Sequence, residues 1–222
     1  MDEGLRAIRS AFVLERADSE LIRDGTVVWR GDRIIAVGPS WKMAQDHPTI
    51  RPRDLGECLI MSGLVNAHDH GRALGTLRMG VTDGPLELWL PNLFSQPALP
   101  PDIAAHYEGL LQLSVGITTT VHQHNPGDWR NLEAELQATA EGYTKAGLRA
   151  CIGIPMMDRN MLSYGGSEAL FAAMDPADVV AIRSQVSDAP PLGRRDMLDI
   201  GRRLADRWKD SGLSWLCWGP VG

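Results

Sequence analysis

From residue 58 onward the chain alternates short apolar, β-branched runs with longer segments whose apolar residues recur at helical spacing, and no other feature limits its fold as much. Residues 59–67 form the first run. Residues 102–115 carry Ile103, Tyr107, Leu110 and Leu111 at helical spacing, Gly116 stops them, and 117–121 follow as a β-branched run with three successive threonines. Residues 131–145 read as a second helix ending at Gly147, and 149–156 as another apolar run before a glycine-rich loop at Gly165-Gly166. A third helix over 196–209 stops at Gly212 ahead of a run over 213–218. Strand and helix in regular succession predict βα units on a parallel sheet, because parallel strands need a long crossover and a helix supplies it.

The first 57 residues follow another pattern. Runs at 11–14, 26–29 and 34–37 are rich in Val and Ile and are separated by the turn dipeptides Asp24-Gly25 and Gly31-Asp32, which predicts a small antiparallel sheet. Residues 39–52, broken by Pro39, Pro48 and Pro52, read as a loop or short helix. The expected division is therefore 1–57, a small β-sandwich segment, and 58–222, about four βα units.

Composition narrows the partners. A net charge of −6 argues against nucleic acid or an anionic membrane surface and leaves a small molecule as the expected ligand. With 44% hydrophobic and 23% charged residues the chain is neither disordered nor collagen-like. Cys58, Cys151 and Cys217 are odd in number and widely spaced, which points to a reducing compartment, the cytoplasm, and to neither a disulfide framework nor a cysteine zinc site. The charged start leads into no long apolar run, so neither a signal peptide nor a transmembrane helix is expected. A homo-oligomer is compatible with the sequence, which does not fix the oligomeric state.

An open dinucleotide-binding sheet calls for G-x-G-x-x-G after its first strand, whereas Val65 is followed by Asn66-Ala67-His68-Asp69-His70. A closed barrel, which places its chemistry at the C-terminal strand ends, fits better. Residues two apart on a strand share a face, so His68 and His70 can bind one cation together. Imidazole suits zinc, iron and other borderline divalent metals. H-x-H alone is a weak motif, and two partly buried histidines bonded to backbone would read the same way.

The segment Met61-Ser62-Gly63-Leu64-Val65-Asn66-Ala67-His68-Asp69-His70 resembles the first-strand signature of the amidohydrolase superfamily, with Ser62 where that family commonly has proline. Asp32-Arg33-Ile34-Ile35-Ala36-Val37-Gly38 is similar to its N-terminal β-sandwich, and Gly116-Ile117-Thr118-Thr119-Thr120-Val121 to its second strand. The resemblance implies an α/β fold, the first half of a (β/α)8 TIM-type barrel behind a β-sandwich segment. It also implies a metal-dependent hydrolase acting through metal-activated water on a non-peptide C–N bond, that of an amino-substituted nitrogen heterocycle or of a cyclic amide. One divalent metal on His68 and His70 is implied, zinc first, with iron or manganese also suited. In that family later strands supply further histidines and an aspartate, none of which is assignable here, so the catalytic acid/base is unassigned. Leu213-Ser214-Trp215-Leu216-Cys217-Trp218 offers no bridging lysine or glutamate, which favours one metal and the cytosine deaminase, guanine deaminase and triazine chlorohydrolase branch.

Residues 58–222 fall short of the roughly 200–250 that a closed barrel takes. The expectation is an N-terminal half with little turnover of its own, the alternative being a truncated or degenerate non-catalytic relative that acts as a binding or assembly partner. Four more residues are candidates for substrate binding: Arg72, to neutralise an anionic group; Trp89, to pack on a ring; and His122 and His124, a second H-x-H on one strand face that would meet substrate or support the site from behind, the plain alternative being hydrogen-bonded loop histidines. Met156-Met157-Asp158-Arg159 follows a strand as a weaker candidate, and Asp69 is expected to turn away from the metal.

Overall fold

The computed structural model describes residues 4–157, 167–184 and 192–220 of a chain that divides into two units, Met1–Gly63 and Leu64–Gly222. In the first unit β1 (Leu5–Leu14), β2 (Ile22–Arg30) and β3 (Arg33–Pro39) form an antiparallel meander, and β4 (Arg53–Asp54) and β5 (Leu59–Met61) pair with β1 in parallel. Gly31, at φ 58°, makes the β2–β3 turn, and α1 (Ser40–Asp46) occupies the proline-broken stretch.

Asp24-Gly25 is no turn. It lies inside β2, where Gly25 pairs with Ser10 and a Cβ on it would stand 2.5 Å from Val13 Cγ2, so glycine serves close strand approach. The Asp24 carboxylate accepts from Arg9 Nε at 2.6 Å. The division also falls later than residue 57. Ser62-Gly63 splits the apolar run into β5, which completes the first sheet, and β6 (Leu64–Asp69), which opens the second.

The second unit is a parallel sheet in chain order: β6, β7 (Ile117–Gln123), β8 (Arg149–Met156) and β9 (Ser214–Pro220). Each crossover is helical. α2 (Leu86–Phe94) and α3 (Pro101–Ser114) join β6 to β7, and α4 (Leu132–Ala146) joins β7 to β8. α5 (Ser167–Ala172), α6 (Pro176–Arg183) and α7 (Arg194–Trp208) lie between β8 and β9. This is the succession of the opening strands of a βα barrel, with β6 and β9 as the outer strands among the described residues. Asp158, Arg159 and the Gly165-Gly166 loop lie outside the described residues.

Strand alternation sorts the side chains. Ala150, Ile152 and Ile154 of β8 point into a core with Leu136 of α4 and Leu204 of α7, each large apolar side chain contributing about 1.5–3 kcal/mol. Gly147, at φ 84°, ends α4 in the left-handed conformation that glycine adopts without strain. α3 departs from expectation: Ile103, Tyr107, Leu110 and Leu111 are exposed, while Ala105, Gly109 and Gln112 are buried. Close packing decides this. Gly142 of α4 sits against Ala105 and the Asp102 carbonyl of α3, and Gly109 against Ala146, contacts that only small residues permit.

Candidate metal centre

β6 delivers His68 and His70 to its C-terminal end, their ring centroids 5.0 Å apart and nearly perpendicular. His68 is exposed and His70 half-buried. Asp69 turns away, its Oδ1 accepting from Gly71 N at 2.6 Å and its Oδ2 from Asn66 Nδ2 at 2.7 Å and Gln112 Nε2 at 3.3 Å.

His70 Nδ1 lies 3.0 Å from the Gln123 carbonyl oxygen, and a proton donated to that oxygen leaves Nδ1 no lone pair for the Asn125 Nδ2 donor 3.2 Å away. A carbonyl only accepts, so the proton sits on Nδ1 and Nε2 keeps its lone pair. Burial holds the His70 imidazole below its ordinary pKa against the pull of the Gln123 bond, and the nearby Arg72 and His68 push the same way as burial. The result is a neutral imidazole in the tautomer that a metal takes, oriented by a carbonyl as metal-binding histidines commonly are. The donor set fits a borderline divalent cation, and it supplies two ligands. Among the described residues no group of three or more His, Cys, Asp or Glu side chains converges.

Arg72 and Trp89 are brought together, the guanidinium carbon 5.7 Å from the Trp89 ring centroid. Burial lowers the Arg72 pKa, and a guanidinium remains charged nonetheless.

His122 and His124 share a face as strand spacing requires, but that face looks into the helix layer and not towards a substrate. Both are about 95% buried. Tyr143 Oη lies 3.0 Å from His122 Nδ1, His122 Nε2 lies 3.3 Å from His124 Nδ1, and His124 Nε2 lies 3.2 Å from Glu135 Oε2. All four ring nitrogens are thus bonded within the protein, which leaves none of them free for the substrate-facing role expected of these two residues. Burial pushes His122 well below its usual pKa, with His124, His70 and Arg72 adding to the effect. Burial alone would raise the Glu135 carboxyl, but donors from His124, Gly127 and Asp128 together outweigh it and hold the group below the usual carboxylate range.

Sequence reasoning missed Gln123, Asn125, Glu135 and Tyr143. Gln123 lays its side chain over Gly153 and Gly219, where an added Cβ would collide with the amide, and its Nε2 is buried with no partner among the described residues. Gly153 within β8 and Gly219 near the end of β9, two positions apart in register, were the available signal.

No protein-family model matches the chain. A 5-methylthioadenosine/S-adenosylhomocysteine deaminase of Syntrophobacter fumaroxidans is 30% identical over 156 residues, covering 68% of this chain and 33% of that protein. Its counterpart in Nitratidesulfovibrio vulgaris is 36% identical over 96 residues, covering 42% of this chain and 22% of that one. Two solved structures share the fold across nearly the whole chain. An adenosine deaminase of Xanthomonas campestris with bound zinc has a TM-score of 0.62 at 22% identity, over 96% of this chain and 42% of its own. An atrazine chlorohydrolase of Arthrobacter aurescens complexed with zinc and atraton scores 0.73 at 19% identity, over 97% and 46%. The matches span a third or less of the curated relatives and just under half of the solved chains. By these matches and the order of its strands, the chain belongs to the amidohydrolase superfamily and carries an N-terminal portion of it.

Proposed function

We propose that this chain supplies the first two metal ligands and part of the substrate pocket of a hydrolase that removes an amino group from a nitrogen heterocycle. In that reaction the ring carbon gains the oxygen of water and ammonia leaves. The observation that carries the reading is His70 itself, neutral, fixed through Nδ1 to the Gln123 carbonyl, with Nε2 left for a cation beside His68. A divalent metal held there, zinc by analogy with the bound neighbours, acidifies water and polarises the electrophilic carbon.

The chain's own groups prepare the site. Gln123 orients His70, and Asp69 ties the strand end to α3 through Gln112. The Arg72–Trp89 pair offers a cation and an aromatic face to a ring substrate. The names of the sequence relatives favour a 6-aminopurine nucleoside as that substrate. Three free cysteines suit a reducing compartment, the cytoplasm, and no helix among the described residues is long and apolar enough to cross a membrane.

The test is ammonia release from 5′-methylthioadenosine by the protein expressed from its complete reading frame with zinc. Turnover that His70→Ala reduces by at least a hundredfold supports the reading. Zinc binding at His68 and His70 without any deamination of aminopurine, aminopyrimidine or triazine substrates would contradict it and leave the non-catalytic relative in its place.

A further inference from the structure

The second histidine pair is unused by the proposed reaction, yet each of its four ring nitrogens has a protein partner. The Glu135 carboxylate only accepts, so His124 donates to it from Nε2. His124 Nδ1 shares one hydrogen bond with His122 Nε2, and His122 Nδ1 shares another with the Tyr143 hydroxyl. Glu135 is itself anchored by Gly127 N at 2.9 Å and Asp128 N at 2.8 Å.

This chain of bonds touches the metal centre at two places. His122 and His124 lock into α4, while Gln123 between them meets His70 through its carbonyl. Directly after His70, Gly71 at φ 58° rests on the same bed. A Cβ there would stand 2.5 Å from His122 Cε1 and 2.7 Å from Tyr143 Oη.

We propose that Tyr143, His122, His124 and Glu135 are positioning residues that hold the end of β7 so that the Gln123 carbonyl fixes the tautomer and aim of His70. The assignment rests on the reading of His70 as a metal ligand. It makes the second H-x-H a support for the first and gives α4 a part in the site without contact to metal or substrate.

Tyr143→Phe and Glu135→Gln test it, since each keeps shape while removing a donor or a carboxylate. In the metal-free 15N-labelled chain, imidazole spectra give the share of His70 in the Nδ1–H form, and zinc titration gives its affinity. Both variants are expected to lower that share and to weaken zinc about tenfold, the usual consequence of disturbing a ligand's hydrogen-bond partner. Leu204→Ala, which opens the core away from these residues, is expected to lower stability without altering the His70 tautomer. An unchanged His70 tautomer and zinc affinity in both variants, with only His122 and His124 signals altered, would overturn the proposal. Should the wild-type chain fail to bind zinc, the metal reading falls, and the tautomer measurement still decides the positioning role.

Discussion

The two H-x-H pairs end adjacent strands of one sheet and could hardly differ more. His68 and His70 stand at the open strand end, one exposed and one half-buried, with a single ring nitrogen between them engaged by protein. His122 and His124 are buried, and each of their four ring nitrogens has a protein partner. Identical spacing on identical elements therefore yields a pair open to a cation in one case and an internally bonded pair in the other. The face decides, because a free lone pair near solvent is available to a cation and a nitrogen already bonded inside the helix layer is not.

The sharpest way to break the contrast is to remove one ring from each pair and follow chemical denaturation. His122→Ala leaves Tyr143 Oη and His124 Nδ1 without their partner and opens a cavity, at an expected cost of about 3 kcal/mol. Gly71→Ala comes next, at about 2 kcal/mol, since it forces a left-handed backbone on a side chain that meets His122 and Tyr143. Acid sharpens the contrast further. Folded His122 titrates well below 6.5 while the unfolded chain titrates near it, so between those values the unfolded state binds more protons and stability rises with pH. Stability is whole above about pH 6.5 and drains as pH falls towards the folded value, by about 1 kcal/mol between pH 6.5 and 5.5, and His122→Asn is expected to flatten that slope. His68→Ala should move stability least, by under about 0.5 kcal/mol, because the ring is exposed. Equal costs for His68→Ala and His122→Ala would erase the distinction.

Much of the fold was legible because its signals are local. The 3.6-residue rhythm and the stops at Gly116, Gly147 and Gly212 give α3, α4 and α7 within two residues of their observed bounds. Which face a periodic segment buries is a tertiary matter. Spacing alone marks the apolar stripe of α3 without saying that it stays exposed, while Ala105 and Gly109, small enough for close helix contact, are what the helix buries. Alternation likewise puts His122 and His124 on one face without saying which, and only Tyr143 and Glu135 of α4, residues distant in sequence, settle it. Asp24-Gly25 misled for a similar reason, its glycine answering a neighbouring strand rather than a turn.

The central claim is that a divalent metal engages the first pair and leaves the second alone. Zinc titration of the 15N-labelled chain, with all four imidazoles followed by NMR, tests it in one experiment. The account predicts that the His68 and His70 ring signals move together and saturate, His70 binding through Nε2, while His122 and His124 keep their tautomers. Saturable movement of His122 and His124 ahead of His68 and His70 would contradict it.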